Sequence, residues 1–94
     1  MSEAIVEGTG LTMAELESLG VTRRNVRRAG RRLLRQGEID GSMTKEEMAG
    51  IIFDNLASEQ PQVVKGLVAK IDWDGLLAFI EKLLPIILQI IAMF

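Results

Sequence analysis

The sequence predicts an all-α protein: four to five short helices, the last one long and apolar, assembled as an oligomeric helical bundle. Three observations predict this. Apolar residues recur at helical spacing, and no alternating run is long enough to argue for a strand. Residues that cap helices stand just ahead of the periodic segments, at Thr12, Thr22, Thr44 and Asp72. The segment from Trp73 to Phe94 carries more large apolar side chains than two modest preceding helices can cover.

The elements follow in order. Residues 1–10 end in Gly8-Thr9-Gly10 and read as a loose lead-in. Residues 11–58 read as a small helical region. A first helix is expected from Thr12 to Leu19, with Glu15 completing a capping box and Gly20 stopping it. Thr22 caps the second, arginine-rich helix, residues 22–36. Gly37 and Gly41 bracket a loop, and Thr44 with Glu47 opens a third helix. Residues 59–94 read as an apolar segment for oligomerisation. Pro61 suits the first turn of a fourth helix, and Asp72 caps the last.

That last helix carries a seam. Trp73, Leu76, Ile80, Leu83, Ile87, Ile90 and Phe94 alternate spacings of three and four, as in a coiled coil. Leu77, Leu84 and Ile91 flank one side, and Phe79, Ile86 and Met93 the other. So wide a stripe fits a bundle of several helices and implies a homo-oligomer. The competing reading makes this the central core helix of a monomer. Pro85 falls on the far side, where a mild kink is easiest to accept. A membrane span ranks lower. Gly75 to Phe94 would measure about 30 Å as a helix, but Glu81 and Lys82 each cost ~2.5–3.5 kcal/mol near a bilayer centre. An interfacial anchor or a pore of several copies is the remaining membrane reading.

Charge is unevenly placed. The chain has a net charge of −2, yet seven arginines stand between Arg23 and Arg35. On a wheel at about 100° per residue, Arg23, Arg24, Arg27, Arg28, Arg31, Arg32 and Arg35 share roughly half the circumference. Val26, Ala29, Gly30 and Leu33 take the other side. The planar arginine fork takes two phosphate oxygens at once, so this face suits nucleic acid or another polyanion. The bland alternative is a solvated face, or one paired with Glu15, Glu17, Glu46 and Glu47 or with acids of a neighbouring copy.

Two local resemblances bear on function. Ala14 to Arg28, with its Leu19-Gly20-Val21-Thr22 turn and apolar Val26, resembles the helix-turn-helix DNA-binding motif; the likeness extends over residues 12–32. It implies that Thr22, Arg23, Arg24, Arg27 and Arg28 open a recognition helix facing the major groove. The first helix is short for that motif, and Leu16 replaces its usual small residue. Separately, Gln36 to Glu47 resembles a twelve-residue EF-hand calcium loop in Gly41, Met43 and Glu47, but Gln36 stands where the first aspartate is required. The expectation is a glycine-bracketed turn and no metal.

Cysteine and histidine are both absent. Neither a disulfide nor the commonest general base is available, and no glycine loop is shaped to cradle a phosphate. The expectation is a protein that is not an enzyme, with no cofactor and no small-molecule substrate. Met1 to Gly10 carries no basic residue and no apolar run, so no signal peptide is expected. A reducing compartment or a virion would be compatible. The working expectation is a structural or assembly protein, for example a small particle subunit. The alternatives are a helix-turn-helix-like regulator dimerising through the last helix, and a membrane-associated or pore-forming protein.

Overall fold

A computed structural model describes residues 4–85 together with 88 and 89. Within them the chain forms five helices: α1 (Met13–Ser18), α2 (Arg23–Arg35), α3 (Lys45–Ala57), α4 (Pro61–Leu67) and α5 (Trp73–Lys82). No named strand is present among the described residues; a single antiparallel bridge joins Ile5 to Thr12.

The helix starts follow from short-range hydrogen bonding. The Thr12 hydroxyl accepts from Glu15 N–H and the Glu15 carboxylate accepts from Thr12 N–H, which satisfies two otherwise orphaned donors. Thr44 and Glu47 repeat the arrangement. Thr22 and Asp72 each accept from the backbone three residues on. Glycines make two of the stops. Gly20 and Gly37 take positive φ, 81° and 75°, which costs a side chain without Cβ little. After α2, Gly37 N–H reaches the Leu34 carbonyl and Glu38 N–H the Leu33 carbonyl. After α1, Gly20 and Val21 bond back to Glu17 and Leu16 in the same way.

The core is built around α3, which packs against α2 on one side and α5 on the other. From α2 come Val26, Ala29 and Leu33; from α3, Met48, Ala49, Ile52, Phe53 and Leu56; from α5, Leu76 and Ile80. Leu11, Leu16, Leu19, Val21, Ile39, Ile71 and Leu84 fill in from shorter segments. No residue of α4 is fully buried; Val63, Val64 and Leu67 lean on the core from outside.

The C-terminal helix departs from expectation. It does not run on as one long apolar rod, because α5 ends at Lys82. Leu83 and Leu84 N–H groups bond three residues back, to Ile80 and Glu81, in a tightened last turn. Pro85 is the cause. It has no N–H to donate, its ring clashes with the carbonyl four residues earlier, and it disfavours helical backbone at Leu84. A new helical turn starts at Pro85, with Leu88 N–H bonding to the Leu84 carbonyl. The proline therefore ends a helix where a mild kink was expected.

Within the lead-in, residues 6–11 form a closed loop. Val6 N–H bonds to the Leu11 carbonyl and Thr9 N–H to the Val6 carbonyl. The Thr9 hydroxyl is fully buried, accepts from Leu11 N–H and lies 2.9 Å from the Val6 carbonyl. Asp72 N–H then bonds to the Thr9 carbonyl, tying the loop to the start of α5. Lys70 adds an ion pair to Glu15, at 2.5 Å.

Candidate polyanion interface

Four buried residues set the rotation of α2. Val26, Ala29, Gly30 and Leu33 face inward, so the opposite arc faces out. Arg23, Arg24, Arg28, Arg31 and Arg35 are exposed, and Arg27 and Arg32 are half-buried. Six of the seven line a shallow concavity of about 460 Å³: Arg23, Arg24, Arg27, Arg28, Arg31 and Arg35. Arg32 leaves the set. Its guanidinium turns toward α3 and donates to the Asn55 side-chain oxygen. The wheel places Arg32 at the edge of the arginine arc, and that is the only sequence signal for its separate role. Its partner lies 23 residues away.

The acids expected to neutralise this face are engaged elsewhere or stand apart. Among the described residues the one ion pair is Lys70–Glu15. The hydrogen bond from Lys70, with that from Thr12 N–H, holds the Glu15 carboxyl below its ordinary value of 4.5. Glu47 caps α3. Neither Glu17 nor Glu46 pairs with an arginine. Among the described residues, no acid is paired with the arginine face.

The bare face has a physical cost. Five pairs stand four residues apart: Arg23–Arg27, Arg24–Arg28, Arg27–Arg31, Arg28–Arg32 and Arg31–Arg35. Like charges at that spacing cost ~0.2–0.5 kcal/mol each, about 1–2.5 kcal/mol together at low salt. Arg23 and Arg24 also occupy the first turn, where the helix dipole disfavours cations and no acid is present. Apart from Arg32, none of these arginines has an ion pair or a side-chain hydrogen bond to another described residue. A bound polyanion would reverse the sign of both effects.

The opposite charge lies on other surfaces. With −2 on the whole chain and +7 on α2, the rest carries −9. A smaller concavity between α3 and α5, about 110 Å³, is lined by Glu46, Asp74 and Glu81 over Leu77 and Ala78.

The junction ahead of α2 matches the order of a helix-turn-helix. α1, the Leu19-Gly20-Val21 turn and α2 follow one another, with Leu16, Leu19, Val21 and Val26 buried. At six residues α1 is little more than a turn and a half.

The loop that resembles a calcium site is organised by other bonds. The Asp40 carboxylate accepts from Ser42 N–H and its hydroxyl, which holds the Asp40 carboxyl below its ordinary value of 3.8. Ile39 is in the core, and Glu47 is a cap. No cluster of three or more metal-ligating side chains occurs among the described residues.

The predicted seam is divided. Leu76 and Ile80 are wholly buried against the chain's own core, so they cannot also line an interface between copies without opening the fold. Leu84, a flank position, joins them in place of Leu83, which is half-buried. Trp73 keeps 43% of its surface exposed and meets Phe53 edge-on, with ring centres 5.4 Å apart. Ile87, Ile90 and Phe94 lie outside the described residues. Among the described residues no helix is long and apolar enough to cross a membrane. No protein-family model, curated protein or solved structure matches the chain.

Proposed function

We propose that this is a non-enzymatic binding and assembly protein. It contacts a polyanion, nucleic acid first of all, through the arginine face of α2, and it self-associates through its C-terminal segment, as a subunit of a larger particle would. One observation carries the reading: six arginines line a single concavity, at a cost to the helix, with no ion pair to them among the described residues. Self-association rests on the apolar sequence from Leu83 onward. The residues that would serve it are Trp73 and Leu83, which the core leaves partly uncovered, and, from the sequence alone, Ile87, Ile90 and Phe94.

The test is light-scattering mass after size-exclusion chromatography, at low and high salt, with and without nucleic acid. The reading expects a discrete multimer that shifts to higher mass with nucleic acid in low salt. Changing Arg23, Arg24, Arg27 and Arg28 to Gln should abolish that shift and leave the multimer intact. If those changes dissolve the multimer instead, the arginines serve contact with an acidic neighbouring copy. A monomer that ignores nucleic acid would refute the proposal.

A second reading is favoured by the α1–turn–α2 junction: a small DNA-binding regulator. It predicts strong preference for one DNA sequence, which the first reading does not.

A further inference from the structure

We infer that the arginine face is shaped for double-stranded DNA, gripped through the phosphates on both sides of a groove, and not for a single strand. The inference rests on reading α2 as a polyanion site and names the class of polyanion.

The spread of the arginines is the first argument. On the helix wheel the six that line the concavity cover an arc of about 140°. Arg23 and Arg27 stand at one margin, Arg28 and Arg35 at the other, with Arg24 and Arg31 between. With side chains reaching about 6 Å from the axis, the margins are about 11 Å apart. That matches the ~12 Å major groove of B-DNA, which admits a helix. From Arg23 to Arg35 the face runs about 18 Å along the axis. A duplex presents its phosphates in two lines, one along each wall of the groove. A single strand presents one line and can satisfy one margin.

What the face lacks is the second argument. Single-strand sites stack bases on aromatic rings, worth ~1–3 kcal/mol per base. The chain has no aromatic residue before Phe53. Phe53 is buried, and Trp73 packs on its edge, so both belong to the α3–α5 side. The arginine arc is interrupted only by Leu34, which is half-buried and packs on the core. Beside the arc, Asn25 lines a neighbouring cleft that shares Arg28 with the arginine face and also holds Glu59 and Gln60. With arginine as its polar side chain, the arc engages phosphates from its margins and, among base edges, favours guanine.

The experiment is fluorescence anisotropy of the full-length chain. The probes are a mixed-sequence duplex of about 20 base pairs, one of its single strands, and heparin, over a range of salt. The expected result is duplex binding at least tenfold tighter than single-strand binding. Six phosphate contacts predict a log–log salt slope near −5, so affinity falls about a thousandfold between 50 and 200 mM salt. Arg23→Gln with Arg27→Gln, and separately Arg28→Gln with Arg35→Gln, should each bring duplex affinity down to the single-strand level. Circular dichroism confirms that both variants keep their helices. Equal or tighter binding of the single strand overturns the inference and leaves the polyanion reading standing. Binding to none of the three probes at low salt overturns both.

Discussion

Gly75 is the third residue of α5, where helix propensity alone favours alanine over glycine by up to ~1 kcal/mol. The tertiary structure reverses that sign. A Cβ on Gly75 would fall inside the Gly8 carbonyl oxygen and come within 3.1 Å of the Gly8 Cα. Both atoms are backbone, so no side chain can swing away. Restoring a normal contact near 3.5 Å requires the Val6–Leu11 loop to retreat by about 2 Å. That movement strains the Asp72–Thr9 backbone bond and the bonds of the buried Thr9 hydroxyl. Each buried group left unpaired costs ~1–3 kcal/mol. Against the propensity gain, Gly75→Ala should destabilise the fold by about 2–3 kcal/mol, or roughly 10–20 °C in Tm for a domain of this size. Gly50 in α3 is the control. A Cβ there meets nothing within 4 Å, so Gly50→Ala should stabilise by about 0.5–1 kcal/mol. Urea and thermal unfolding by circular dichroism measure both. A Gly75→Ala variant as stable as the parent would refute the closure of the N-terminal loop on α5.

Three more predictions concern single side chains. Leu76→Ala should cost about 2–5 kcal/mol in urea unfolding, because Leu76 is fully buried in the core. A residue that served only as a seam between copies would instead change the mass and spare the stability. Arg32→Ala should lose about 1–3 kcal/mol through its bond to Asn55, while Arg24→Ala should be neutral or slightly stabilising as like-charge repulsion falls; equal effects in parallel urea titrations would contradict the split of the arginine set. For pH dependence, the Glu15 and Asp40 carboxyls are both held below their ordinary values. Their contributions are complete above about pH 4.5 and disappear as pH falls through the lowered folded values. Glu15→Gln should flatten that acid limb of the stability profile, and an unchanged limb would remove the Lys70–Glu15 pair from the account.

Membership of the arginine face is legible in the sequence to within one residue, because a thirteen-residue helix has a known period and its apolar side is unmistakable. Arg32 is the exception. Its direction depends on Asn55, which arrives from another helix. The absence, among the described residues, of ion pairs to the face is not legible either. Glu15 and Glu47 look available in the sequence until the fold commits one to Lys70 and the other to a cap.

The sequence by itself determines where the helices begin and where α1 and α2 end. Those decisions rest on bonds between residues three to five apart: Thr12 with Glu15, Thr44 with Glu47, Asp72 with Gly75, and the turns at Gly20 and Gly37. Such bonds need no partner from elsewhere in the chain. Only the tertiary structure decides which side of α5 is buried. Its apolar stripe is wide enough to accept several rotations, and the surface of α3 selects the one through Leu76, Ile80 and Leu84. Only the tertiary structure, likewise, makes residues 6–11 a loop locked on α5. The Gly8 backbone can approach there because Gly75 has no Cβ, and nothing local in either stretch announces the other.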